Sequence, residues 1–282
     1  MSEKERPEAP EPFVSAGGLD PRRAAAFITA NTAVCRPPHV PEISLRLASE
    51  AHEIWLKTEA ELEAIGLPPP FWAFAWAGGQ GLARFLLDHR EWVAGRTVLD
   101  FASGSGLVAI AAMMAGAKAV TAADIDPFAA AALELNLALN FPPPSVGEGK
   151  DAPPAPPIRF VGDDLMGKTA EAELLLAGDV FYDRAMAEGI IPWFDGLAAG
   201  GTTILVGDPG RAYLPRQRLD WLAEYRVPVS RALEDQEVKR VAVWRWRPPV
   251  REPPRGSCER TTIGALVKGC VHGRIGNARL TG

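Results

Sequence analysis

Five short runs between residues 96 and 208 are apolar nearly throughout: RTVLDF, KAVTAAD, IRFVG, AELLLAGD and GTTILVGD. Runs of that length, bounded by glycine and acidic residues, predict strands buried on both faces. Between them lie stretches with helical character. GLVAIAAMMAG closes at Gly116, PFAAAALELNLALN opens at Pro127, a favoured first helical position, and RAMAEGIIPWFDGLAA follows the fourth strand. PRQRLDWLAEY is assigned to a further helix and VKRVAVWRW to a last strand. From Arg226 to Trp246 the chain reads strand–turn–strand without a helix between, which predicts an antiparallel pair at one edge. The expected fold class is α/β: a doubly wound, mostly parallel seven-strand sheet with an antiparallel edge pair.

The flanks read differently. Residues 1–19 are charged, proline-rich and expected to be disordered. Residues 20–66 predict an N-terminal helical extension, with Asp20 as a cap, Pro21 at the first position, Gly66 as a stop and CRPPHVPE as a rigid break between two helical stretches. The principal domain then runs over 67–247. It is interrupted at 141–157 by FPPPSVGEGKDAPPAPP, a composition that predicts an extended surface loop. Residues 248–282 predict a disordered tail with scattered basic residues.

Composition narrows the function. Of the 282 residues 47% are hydrophobic, ordinary for a globular protein, and the net charge of −5 argues against a general nucleic-acid binder. No apolar run is long enough to cross a bilayer and the N-terminus lacks a signal peptide, so a cytoplasmic protein is expected. Cys35, Cys258 and Cys270 are odd in number and far apart, which suggests free thiols. The four histidines are scattered and no CxxC is present, so no metal is expected.

The chemistry gathers at VLDFASGSGLVAIAAMMAG, residues 98–116. Gly104 and Gly106 lie on the turn after the first strand of the domain, where backbone can approach a ligand at a helix N-terminus. GSGLVA, Gly104 to Ala109, also satisfies a dinucleotide pattern, so a nicotinamide-dependent oxidoreductase is one reading. Asp100 opposes it, because a carboxylate beside the turn would repel a pyrophosphate and attract the cationic sulfonium and ammonium of S-adenosylmethionine. Asp124, in AADID at the end of the second strand, can accept both ribose hydroxyls of either cofactor.

VLDFASGSG with AADID resembles the first two motifs of the seven-strand, class I (Rossmann-like) S-adenosylmethionine-dependent methyltransferases, with Ala102 standing where those enzymes usually carry a glycine. PPPFWAFAWAGGQGLARFLLD, GDVFYD and GDPGRAYLP are similar to segments of the electron transfer flavoprotein β-subunit lysine methyltransferases, bacterial members included. The resemblance runs from about Ala30 to Trp246. It implies S-adenosyl-L-methionine as methyl donor and the β subunit of electron transfer flavoprotein as protein substrate. A ribosomal protein or a small amine such as nicotinamide is the alternative acceptor. No nucleic-acid or membrane partner is implied, and a monomer is expected.

For the residues, the resemblance implies cofactor contacts from Trp76, Gly78, Asp100, Ala102, Gly104, Gly106, Asp124 and Ile125. It adds an adenine contact from Asp163 or Asp164, the choice between them left open, and a weaker contact from Gln80. Phe71, Trp72, Phe74 and Trp76 crowd one stretch; two of the four are expected in the core, and Trp76 beside the sulfonium. Asp179 and Tyr182 match an acid followed three places on by an aromatic. They are the expected catalytic pair, Asp179 at the cofactor methyl orienting the substrate amine and Tyr182 walling it. Arg211 and Tyr213 are expected to meet the substrate.

Overall fold

A computed structural model describes residues 14–15, 18–49, 69–142, 156–229 and 237–247. The expectations for 1–13, for the second N-terminal helix after residue 49, for most of the 141–157 loop and for the 248–282 tail lie outside these residues.

The chain opens with a small antiparallel pair, β1 (Val14–Ser15) and β2 (Gly18–Leu19). Helix α1 (Pro21–Asn31) follows as expected: Asp20 caps it by accepting the Arg22 amide at 2.8 Å, and Pro21 fills the first turn. The extension is not wholly helical. Ala33–Cys35 (β3) pairs antiparallel with Leu45–Leu47 (β4), inside the stretch assigned to a helix. The prolines at 37, 38 and 41 deny the intervening chain the backbone donors a helix needs, and the segments beside them pair instead.

The sheet is built from β5 (Thr97–Phe101), β6 (Ala119–Ala123), β7 (Ile158–Val161), β8 (Leu174–Gly178), β9 (Thr203–Asp208), β10 (Leu219–Pro228) and β11 (Val238–Trp246). Its order is β10-β11-β9-β8-β5-β6-β7, with five parallel strands and an antiparallel β10–β11 edge. Helices α2 (Ala77–Asp88), α3 (Leu107–Met114), α4 (Ala129–Asn140) and α5 (Arg184–Ala199) connect and cover it. Alternate strand residues serve opposite faces: Val98, Leu174 and Leu176 pack with α2 and α3, while Leu99, Leu175 and Ala177 pack with α5. Each such valine or leucine side chain, fully buried, contributes about 1.5–3 kcal/mol.

The helix expected over 215–225 is a strand. Only Arg216–Arg218 forms a 3-10 turn, and β10 starts at Leu219. A bulge between Trp221 and Ala223 shifts the register by one residue, so the apolar positions change phase mid-strand and mimic a helical spacing.

Two devices fix the segments at this end of the sheet. Asn136, fully buried on α4, donates to the Ser105 carbonyl at 2.8 Å and accepts the Arg46 amide at 2.7 Å, joining the β3–β4 hairpin to the turn after β5. The start of α2 lies directly on the ends of β8 and β9. A Cβ on Gly78 would sit 2.7 Å from the Asp179 nitrogen and closer still to the Gly207 carbonyl, and one on Gly178 would sit 2.8 Å from the Gly79 Cα. Glycine is required here by close backbone approach.

Candidate active site

Strand order reverses about β5, with β6 and β7 on one side and β8 and β9 on the other. A ligand crevice is expected beyond the strand ends at such a point. There the structure holds a cavity of ≈ 460 Å³ lined by Phe71, Trp76, Ala102, Gly104, Asp124, Ile125, Asp179, Tyr182 and Arg211, with Pro69, Trp72, Asp126, Pro127, Gly178 and Met186 completing its wall. A smaller recess adjoins it, lined by Trp76, Gly79, Asp100, Ala102, Ser103 and Gly104 among others. Residues from four strand ends and the segment before α2 thus meet in one place.

The turn after β5 is locked by carboxylates. Asp124 accepts the Gly104 amide at 2.7 Å through one oxygen and the Asp126 amide at 2.9 Å through the other. Asp100, 1% exposed, accepts the Ala109 amide of α3 at 2.9 Å. Burial pushes the Asp100 carboxyl up to about 8 and that of Asp126 up to about 7, and raises that of Asp124. Asp100 is buried and Asp124 and Asp126 half-buried, so three carboxyls lie in or beside one cavity, where a bound cation would favour their ionised form. Gly106 caps α3 at φ 79° and has no room for a Cβ beside Leu133.

Two non-glycine residues of the lining have left-handed backbone, Ala102 (φ 56°) and Asp179 (φ 63°). Such conformations cost of order 1–3 kcal/mol and persist where surrounding structure fixes them. Asp179 is fixed thoroughly. Its amide donates to the Gly207 carbonyl at 2.8 Å, and one carboxylate oxygen accepts the Gly78 amide at 3.1 Å. Arg211 closes a two-pronged ion pair on it, at 2.6 and 3.1 Å. Arg211 therefore faces inward on Asp179. The loop that carries it is set by Asp208, which accepts the Gly210 and Arg211 amides at 2.6 and 2.8 Å.

The aromatic stretch divides. Trp72 and Phe74 are buried, Trp72 stacking on Phe128 at 5.7 Å. Phe71 stands exposed at the cavity, its ring 5.9 Å from those of both Trp76 and Tyr182, and Trp76 donates its indole N–H to the Phe71 carbonyl at 3.0 Å. Burial and the charges of Asp124, Asp183 and Asp179 raise the Tyr182 hydroxyl, keeping it protonated.

Other expected residues stand apart from this lining. Gly78 contributes backbone packing rather than surface. Gln80 is buried, donating to the Ala75 carbonyl at 2.8 Å while its Oε1 has no partner among the described residues. Asp163 and Asp164 are exposed at the end of β7 and do not line the cavity; Asp164 accepts the Met166 amide at 2.9 Å. Tyr213 lies outside the lining, with the Arg184 guanidinium 5.9 Å from its ring centre. Sequence reasoning passed over Asp126, Pro127 and Met186 as lining. The first two lie two and three residues beyond Asp124, a signal that was present; Met186 reaches the cavity through the placement of α5, which no local signal encodes.

A doubly wound sheet of this order, with a glycine-bearing turn after its central strand and an acid at the end of the next, defines a class I methyltransferase. Over 227 residues the chain is 39% identical to the electron transfer flavoprotein beta subunit lysine methyltransferase of Danio rerio, covering 78% of this chain and 82% of that protein. It is 36% identical over 241 residues to the Xenopus laevis protein of the same name, covering 82% and 92%. The chain belongs to this family of protein-lysine N-methyltransferases. A model of the ribosomal protein L11 methyltransferase family matches residues 85–148. Among solved structures, the ribosomal protein L11 methylase of Lactobacillus delbrueckii subsp. bulgaricus superposes with a TM-score of 0.42 at 21% identity, over 62% of this chain and 81% of that one. The oxidoreductase reading gives way to methyl transfer, with S-adenosylmethionine as donor.

The residues present fit that donor. Its two positive charges suit these carboxyls, Asp124 offers acceptor oxygens in the wall, and the buried Ser103 hydroxyl of the recess has no partner among the described residues. Among those residues no helix is long and apolar enough to cross a membrane.

Proposed function

We propose that this enzyme methylates lysine side chains of the β subunit of electron transfer flavoprotein, using the cavity at the ends of β5, β6 and β8. The substrate rests on kinship with the flavoprotein β-subunit lysine methyltransferases, and the Asp179–Arg211 ion pair set against the Phe71–Trp76–Tyr182 wall supports an amine side chain as the acceptor. When bound, S-adenosylmethionine supplies an electrophilic methyl group on a positively charged sulfur. The protein's own residues do the rest by holding and desolvating.

Asp124 accepts the ribose hydroxyls, Ile125 and Pro127 give an apolar surface beside them, and Asp100 with Ser103 serves the methionine end. Phe71, Trp76 and Tyr182 bound the path of the lysine and exclude water. A lysine amine must be neutral to attack, at a cost of about 4.6 kcal/mol at pH 7. A bare carboxylate beside it would raise that cost by favouring the ammonium form. Arg211 neutralises Asp179, so Asp179 can orient the amine without holding its proton. The proton passes to water, and the nitrogen lone pair is left aimed at the place where bound S-adenosylmethionine would supply its methyl group.

The test is transfer of labelled methyl groups to purified, undermethylated electron transfer flavoprotein, to ribosomal proteins and to nicotinamide in parallel. Label on the flavoprotein β subunit supports the reading. Label confined to ribosomal proteins or nicotinamide overturns the substrate and leaves the methyl transfer.

A further inference from the structure

A second cleft, of ≈ 360 Å³, lies at the same end of the sheet, and strand register lays its floor. Asp208, the last residue of β9, pairs with Ala242 of β11, which pairs with Glu224 of β10. Trp244 lies two residues along β11, opposite Trp221. Cross-strand partners and i, i+2 neighbours point to one face, so these side chains share it. Further along that face is covered by α5, where Asp195 accepts the Trp246 indole N–H at 3.0 Å. The loop 209–216 walls the cleft with Pro209, Gly210, Leu214 and Arg216.

Two atoms of this lining have no hydrogen-bond partner among the described residues, Asp208 Oδ2 and Trp244 Nε1. One is an acceptor and the other a donor. Asp208 is 1% exposed, and its other oxygen is occupied by the Gly210 and Arg211 amides. Glu224 and Arg240 neutralise each other through three hydrogen bonds of 2.8–3.1 Å. Trp221, by contrast, is 60% exposed. Buried polar atoms left unmatched are costly, and a ligand that matches both recovers that cost. A peptide group carries one N–H donor and one C=O acceptor, and so answers both. Beside them stands an exposed tryptophan, one of the side chains enriched among the residues that anchor protein partners. The cleft also shares its loop with the reaction cavity: Asp208 holds the Arg211 amide, and the Arg211 side chain reaches Asp179.

We propose that this cleft seats an extended stretch of the protein substrate beside its target lysine, with a peptide group answering Asp208 and Trp244 and a side chain lying over Trp221. The proposal rests on the protein-lysine reading above. It is tested with Trp221→Ala, which removes the anchor, and Ala242→Leu, which fills the floor, so that a folding defect in one leaves the other to decide. On electron transfer flavoprotein each variant is expected to raise KM about tenfold, with kcat within about twofold and affinity for S-adenosylmethionine unchanged. Unchanged KM in the folded variants, or a fall in kcat alone, overturns the cleft and leaves the enzyme reading standing. Failure of the unaltered enzyme to methylate that protein overturns the reading and the occupant together.

Discussion

Replacing Asp100 with asparagine should make the cofactor-free enzyme more stable. The carboxyl is buried among the α3 turn and β5, and its ordinary 3.8 is raised to about 8 by desolvation. Between those values the unfolded chain has released a proton that the folded chain still binds. The contribution of this group to stability is therefore fully present below pH 4 and is lost as pH rises through 8. Near pH 7 the unfolded chain gains about 4 kcal/mol from ionising what the fold keeps protonated, and near pH 5 only about 1.5 kcal/mol. The asparagine side chain keeps a carbonyl to accept the Ala109 amide, which Asp100 accepts at 2.9 Å, and removes the ionisation. Even half the full effect would raise the melting temperature by roughly 4–8 °C at pH 7, and by less at pH 5. The same variant should bind S-adenosylmethionine more weakly, because a carboxyl that ionises beside the bound ammonium is gone. Thermal unfolding of both proteins between pH 5 and 8.5, with calorimetry for the cofactor, reads all of this. A variant less stable than the parent at every pH would refute the reasoning, since it would make Asp100 a net source of stability.

Three further substitutions probe the same frame. Asp124→Ala should weaken S-adenosylmethionine binding by about 1.5–3 kcal/mol, measured by calorimetry, because it removes a charged acceptor for the ribose and frees the Gly104 amide held at 2.7 Å. Ala102→Gly should stabilise the protein by about 0.5–1 kcal/mol in denaturant unfolding, relief of the φ 56° backbone outweighing the entropy glycine adds to the unfolded chain. Gly78→Ala should abolish activity and lower the melting temperature together, since its Cβ collides with backbone of Asp179 and Gly207; loss of activity with full stability would place Gly78 at the ligand instead.

The parallel core was legible because its strands are apolar on both faces and end in glycine or acid. Asp100, Asp124 and Asp179 were legible for the same reason, lying within or just beyond strand ends, where ligands of such sheets bind. The β10 hairpin was not, because the bulge after Trp221 breaks its two-residue period. Nor was the β3–β4 hairpin, whose three-residue strands carry too little pattern to outweigh the helical spacing around them. In the site, the meeting of Phe71 with Tyr182 joins residues 111 positions apart through the placement of α2 on β8, which no local signal encodes. The inward turn of Arg211 depends on the Asp208 loop contacts, so its residue type alone suggested a substrate contact where the fold makes a partner for Asp179.

The enzyme proposed above methylates lysines of the flavoprotein β subunit at the Asp179 cavity. The most direct test is mass-spectrometric mapping of undermethylated electron transfer flavoprotein after incubation with S-adenosylmethionine and either the parent enzyme or Asp179→Ala. Methyl groups are expected on β-subunit lysines with the parent and almost none with the variant, while calorimetry finds the variant still binding the cofactor. Equal methylation by both proteins, or no β-subunit lysine modified by the parent, would contradict this function.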